Sequence, residues 1–379
     1  MAQNVTAQLD EASLPPPAGT PPARPSVSLF RKRIRKFRSL KRGYYSFLVL
    51  TIVYVLSFFL PVLINNQPLL VRYEGQFYFP LLRYYPASEF GQEAFGEPDY
   101  RELAETFRQQ DSGNWVILSL YPYSPTESLL DLPGFPPHPP SWEHFFGTDD
   151  RGRDIFARLT YGFNVSMTFA LMVLMLSYVI GITVGATLGY FGGKVDILGQ
   201  RLIEIWSSLP FLYTIIIVSS IVVPIYLPGR NLLLQPSFWL LIMILMVFGW
   251  MGITYYVRGE FYREKAKDYV GAAIAMGASD RTIMFRHILP NSLTPVVSFA
   301  PFVVVANIGA LVALDFLGFG LPAPTPSWGE LIGQGMENLT KWWLVFFPLM
   351  AMFATLLLIV FIGEAVREAF DPKQFSRLR

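Results

Sequence analysis

The 379-residue chain contains no cysteine, which removes disulfides, thiolate catalysis and cysteine-ligated metals together. Histidine is almost as scarce: His138, His144 and His287 stand at no metal-ligand spacing. Charge is thin as well, with 15% charged residues against 52% hydrophobic ones and a mean hydropathy of +0.38. A net charge of only +2 gives no general attraction to nucleic acid. No serine sits in a G-x-S-x-G elbow, and no G-x-x-x-x-G-K-[ST] loop occurs, since Gly193-Lys194 is followed by Val195. Asp149, Asp150 and Asp154 do cluster. Interleaved with Arg151, Arg153 and Arg158, they read as an ion-paired turn and helix start, not as a metal site. The chain therefore offers no catalytic constellation and no nucleotide or other cofactor site of its own.

What is present is a series of apolar runs. Six are long enough to cross a hydrocarbon core about 30 Å thick, near 44–64, 163–189, 203–227, 237–257, 293–314 and 342–363. The expected fold is an all-α polytopic membrane protein of six spans. Residues 1–30, rich in Pro, Ala, Ser and Thr, read as a disordered tail without a signal peptide. Arg31 to Arg42 carries eight basic residues directly before the first run and so places the N-terminus in the cytoplasm, with 31–64 as basic anchor and first span. The loops 190–202 and 258–292 and the tail 365–379 then fall on the same side. The basic residues of the last two, against chiefly Arg230 and Lys341 outside, agree with that orientation. The expected location is an inner membrane, crossed several times.

Between the first two spans lies a segment of nearly one hundred residues, 65–162, with no lysine and fourteen acidic residues against seven arginines. Short alternating aromatic and β-branched runs at its start suggest strands, and DLPGFPPHPPSW is an extended proline-rich piece. It reads as a small extracytoplasmic cap or docking surface ahead of the core at 163–364.

The segment 258–291 is polar and basic between two apolar runs, and reads as two short helices rather than a span. Asp268 is placed to cap the first, with Ala272 and Ala273 inside it and Gly277 closing it. Ser279 caps the second, whose Met284, Phe285, Ile288 and Leu289 form one stripe opposite Arg286 and His287, and Pro290 ends it. Such an amphipathic pair held between spans is a docking element. Within the spans, polar residues are few, and Asn307, Ser298 and Thr214 are the candidates for lining a pathway. An ion-coupled secondary carrier or channel, the alternative from another class, calls for a buried ionisable group at mid-membrane or an inverted repeat. Glu204 and Asp315 fall at span ends instead.

The run YVGAAIAMGASDRTIMFRHILPN resembles the EAA loop of ABC-importer permease subunits. Ala272, Ala273, Gly277, Leu289 and Pro290 match that pattern in register. Gly271 replaces the usual Glu and His287 the usual Ile. Three further blocks, 147–166, 189–210 and 314–332, resemble the C-type subunit of the dipeptide/oligopeptide family, and the acidic insert is similar to that of the branch importing longer oligopeptides and microcin C. The resemblance implies a second homologous permease subunit, two ATP-binding cassette subunits carrying ATP-Mg, an extracytoplasmic peptide-binding protein and a lipid bilayer as partners. It also implies that Asp268, Gly271, Ala272, Ala273, Gly277, Arg286, His287, Leu289 and Pro290 belong to the loop that meets the ATPase.

Overall fold

The computed structural model describes residues 29–93, 96–110, 113–222 and 237–371. Of the sequence expectations, the tail up to residue 28, the end of the third span at 223–227, the loop with Arg230 and the C-terminal residues 372–379 lie outside them.

Two helices open the described chain: basic α1 (Leu29–Ser39) and α2 (Lys41–Ser57), followed after a two-residue break by the single turn α3 (Leu60–Leu63). The insert departs from the all-α fold class but carries strands at its start, as its alternating runs suggest. Strands β1 (Leu70–Tyr73), β2 (Gln76–Tyr78) and β3 (Trp115–Ile117) form an antiparallel sheet in the order β2-β1-β3, with Val71 opposite both Tyr78 and Val116. Helix α4 (Tyr100–Gln110) packs on it, and Val71, Phe90, Tyr100, Leu103 and Phe107 are buried between them. The fold is mostly helical with a small mixed insert.

Helix α5 (Ile155–Phe191) runs 37 residues, about 55 Å at 1.5 Å per residue, and starts eight residues before the expected second span. Asp154 explains the early start: its side chain accepts from the Ala157 N–H (2.8 Å) as N-cap. The expected loop at 190–202 is mostly helix α6 (Gly193–Ser207), which bends by 76° into α7 (Phe211–Val222). Pro210 accounts for the bend, because proline lacks the N–H and disfavours helix at the residue before it. Helix α8 (Phe238–Gly249) turns by 42° into α9 (Met251–Lys265), so the fourth apolar run continues as helix through Arg258–Lys265. The segment α10 (Asp268–Ala275), α11 (Asp280–Thr282), a π turn (Ile283–Ile288) and α12 (Leu289–Ser292) leads into α13 (Thr294–Phe316). Helices α14 (Trp328–Glu337) and α15 (Trp342–Phe370) close the fold, α15 running into the expected tail. By length and composition α5, α13 and α15 can each cross a membrane, and the two bent pairs raise the number to five; α2 alone, at 17 residues, is short of the about 20 required.

Helix α5 contributes to three separate buried clusters. It packs with α2, α13, α14 and α15 through Ile155 to Ala170, with α8 through Phe169 and Val173, and with α9 through Tyr178, Ala186 and Tyr190. At its insert end a lock of charges forms. Asp149 is fully buried and accepts from the Arg151 and Arg153 N–H groups (2.9 and 2.8 Å) and from Arg153 Nε (2.7 Å). Arg158, also fully buried, donates to Glu330 of α14 (2.5 Å) and to the Pro125 carbonyl (3.2 Å). Trp328 fills the adjoining space and donates to the Leu159 carbonyl (3.0 Å). The carboxylates of 149 and 154 thus serve an ion-paired turn and a helix start.

Candidate functional site

At the opposite end of α5 the 258–291 segment is held by its apolar underside. Val270 and Ala273 of α10, with Ile283, Met284 and Ile288 of the π turn, are buried against α9, α5 and the start of α13. Helix α10 ends in a Schellman turn. Gly277 takes φ +76°, the Ala278 N–H reaches the Ala273 carbonyl (3.1 Å), and the Gly277 N–H reaches that of Ile274 (2.9 Å). Ser279 then caps the next helix, accepting from the Thr282 N–H (3.4 Å).

Three expectations need correction. Asp268 is the first helical residue, not the cap; the cap position is Lys267, which makes no side-chain capping bond. Burial falls on Ile283, Met284 and Ile288, while Phe285 is exposed, because a π turn carries more residues per turn than the 3.6 on which the expected stripe was placed. Pro290 does not end the helix. It lies just past the π turn, with no break in the helical backbone, and the helix runs on to Ser292.

A buried carboxylate organises the segment. Glu264 accepts from Lys267 Nζ (2.6 Å) and the Tyr269 hydroxyl (2.9 Å). The His287 carbonyl accepts from Asn291 Nδ2 (3.0 Å) and lies 3.5 Å from that same hydroxyl. Burial raises the Tyr269 hydroxyl above its ordinary 10 and the Glu264 carboxylate adds to this against the Asn291 contact, so it remains a donor near neutrality. Tyr190, near the end of α5, donates to Asp280 (2.6 Å), and Lys265 Nζ reaches the Tyr190 carbonyl. Arg258 forms a bidentate pair with Asp196 of α6 (2.5 and 2.6 Å), with Tyr262 donating to the same carboxylate (2.9 Å). Of these, Tyr190, Asp196, Tyr269, Asp280 and Asn291 stand in resembling runs, whereas Glu264 carries no motif signal.

The link from this segment into the bundle is a glycine stripe. Gly181, Gly185 and Gly189 of α5 lie against α9, where a Cβ would come within 2.6 Å of the Trp250 carbonyl oxygen, 2.7 Å of that of Thr254 and 2.7 Å of that of Arg258. Small residues four apart let two helix backbones touch, a pattern readable in GITVGATLG.

The outward face is different. Gly271 and Ala272 are exposed, and a Cβ at Gly271 meets open space. Ile274, Met276 and Phe285 are 54%, 80% and 52% exposed, with Arg281 and Arg286 also exposed and His287 and Leu289 half-buried. Among the expected lining residues, Asn307 donates to the Ala170 carbonyl on α5 (3.1 Å), Thr214 donates to the Pro210 carbonyl at the head of its own helix (2.9 Å), and Ser298 is half-buried on α13. Asn307 thus joins two helices, whereas Thr214 makes a local bond.

A helical membrane protein with a two-faced segment clamped between its long helices is the class these features define. Residues 181–376 match the family of binding-protein-dependent transport system inner membrane components, and the chain belongs to that family. It is 42% identical to the inner membrane ABC transporter permease protein YejE of Escherichia coli (strain K12), over 90% of this chain and 96% of that one. It is 37% identical to the peptidoglycan transport system permease protein YejE of Agrobacterium fabrum, over 96% of this chain and all of that one. The oligopeptide transport system permease protein OppC of Haemophilus influenzae is 36% identical over 61% of this chain and 70% of its own.

Proposed function

We propose that the chain is a permease subunit of an ATP-driven peptide importer, working by alternating access without chemistry of its own. The observation that carries this reading is the two-faced 258–291 segment. Its underside is fastened to α5, α9 and α13, and its outer face offers Ile274, Met276 and Phe285 beside Arg281 and Arg286. A partner seated on that face would move the segment and, through the glycine stripe, the long helices with it. The partner is one of two ATP-binding cassette subunits, which hold ATP-Mg.

In this reading α2 with α3 forms the first span and the two bent pairs the third and fourth, giving six, with both termini in the cytoplasm of a bacterial cell. The insert then lies outside, where Phe135 and Trp142 are almost wholly exposed and offer a surface to a peptide-binding protein. A second, homologous permease supplies the other half of the pathway, and Ser298 of α13 and Asn307, which also bonds the Ala170 carbonyl, are the lining candidates. The cargo is an oligopeptide. Microcin C and peptidoglycan-derived peptides are the narrower candidates, the first from the likeness of the insert and the second from the name of the Agrobacterium relative.

The test is uptake by vesicles holding this chain, its partner permease and both ATPase subunits, supplied with the binding protein and a labelled oligopeptide. ATP-dependent accumulation is expected, with microcin C and a peptidoglycan-derived peptide added as competitors to rank the cargo. Accumulation driven by an ion gradient without ATP would overturn the reading.

A further inference from the structure

Helix α1 has two faces of different character. On one, Arg33 donates to Thr294 Oγ1 (3.4 Å) and lies 4.9 Å over the Phe370 ring, and Lys36 pairs with Glu368 (3.0 Å). Phe37 packs edge-on against Tyr44 and Phe47 at the start of α2. On the other face Arg31, Lys32, Arg35 and Arg38 are exposed, and Lys41 and Arg42 continue the row. None of these six forms an ion pair with an acidic residue among the described residues. Like charges gathered this closely repel one another, and an external anionic surface removes that cost. The position of the row identifies the surface. It ends where the apolar helix begins, and exposed Tyr45 and Phe47 follow at once, the aromatic placement found at headgroup depth.

We propose that α1 is a binding site for anionic phospholipid headgroups and acts as a clamp on the permease. The proposal rests on the reading that Lys41–Leu63 is a span with its basic end in the cytoplasm. Thr294 opens α13 directly after the 280–292 segment, while Glu368 and Phe370 close α15. A headgroup layer gripping α1 therefore holds the exit of the docking segment and the end of the last helix to the membrane surface. Lipid charge then sets how firmly the fulcrum of the transport movement is fixed.

The variant R31Q/K32Q/R35Q/R38Q removes the four exposed cations of α1, leaves Lys41 and Arg42, and keeps Arg33, Lys36 and Phe37. The assembled importer, wild type and variant, is purified and titrated with phosphatidylglycerol, and retained lipid is read by native mass spectrometry. The variant is expected to retain it about tenfold more weakly or worse, with wild-type retention falling as salt is raised. In vesicles, phosphatidylglycerol added to phosphatidylcholine is expected to speed ATP-driven uptake by the wild type and leave the variant unchanged. Equal retention overturns the proposal, as does a variant that sheds its ATPase subunits while keeping its lipid, the result for a protein-binding patch. Because the chain has no native cysteine, Ser39→Cys reports the side on which α1 lies. Labelling from outside the cell overturns the topology beneath the proposal; labelling from inside with no lipid retention overturns the clamp alone.

Discussion

The two ends of α5 hold their neighbours by opposite means. At the insert end the contacts are charges taken out of water: Asp149 and Arg158 are fully buried and Arg153 nearly so, with Glu330 closing the set from α14. At the other end the buried layer is mainly apolar, with Thr254, Ser292, Glu264 and Asp196 as its buried polar groups, and partly exposed Arg258 pairs with Asp196 at its edge. A buried charge set tolerates no partial separation, since each group left alone bears its full desolvation cost. An apolar layer under a rim of partly exposed pairs can shift as a unit at lower cost. Under the proposed function, this difference makes the insert end the one that stays shut and the 258–291 end the one that moves, and substitutions at each end can test it.

The largest loss of stability is expected from Arg158→Met. It strips the cation from Glu330 and Asp149 and should cost about 3–5 kcal/mol, read as a lower thermal midpoint of the purified complex. Adding Glu330→Gln should restore part of that loss. The same carboxyl predicts an acid limit. Burial opposes its ionisation, but the Arg158, Arg153 and Arg151 guanidiniums outweigh this and hold Glu330 below its ordinary 4.5. A lowered folded value means the contribution is complete above about pH 4.5 and is lost as pH falls through the folded value. Between about pH 6 and pH 3 the wild-type midpoint should therefore fall more steeply than that of Glu330→Gln. Parallel curves would remove Glu330 from the lock.

Next comes Gly185→Leu in the stripe that packs α9 against α5. The new side chain would meet the Thr254 carbonyl backbone and not a side chain able to swing away, so about 3 kcal/mol is expected, with α9 displaced from α5. Unchanged thermal stability of this variant would mean that the close helix contact is not needed. Glu264→Gln should cost less, about 1–2 kcal/mol, because the amide keeps an acceptor for Tyr269 and loses the charge opposite Lys267. Peptide uptake should fall by more than that stability change accounts for; a fall no larger would make Glu264 a purely structural group.

Much of this was legible in the residue pattern, in proportion to how local the cause is. The Gly277 turn, the Ser279 cap and the ion-paired turn at 149–154 each follow from residues within a few positions of one another, and each is present. The stripe at 283–288 was misplaced by one residue because no composition signal announces a π turn. Pairing across 172 positions, as in Arg158 with Glu330, has no local trace at all, although both residues stand in blocks that resemble one family. The glycine stripe lies between these cases. Its spacing of four is plain in the sequence, but only the packing of α9 on α5 says which partner it serves.

A stability change comparable to that of Glu264→Gln, with a large change in transport, is expected at Gly277. Its backbone at φ +76° lies where residues other than glycine bear strain of about 1–3 kcal/mol, yet a Cβ there meets nothing within 4 Å. Strain and bulk can therefore be separated. Gly277→Asn, which tolerates the left-handed region, should keep both assembly and uptake. Gly277→Ala adds strain without bulk and should lower uptake a few-fold. Gly277→Trp adds a large side chain beside exposed Met276 and should abolish uptake while the complex still purifies whole, as read by size-exclusion chromatography alongside peptide accumulation. If Gly277→Trp transports normally, the turn does not face a partner, and the movable end of the molecule must be sought elsewhere than on the 258–291 segment.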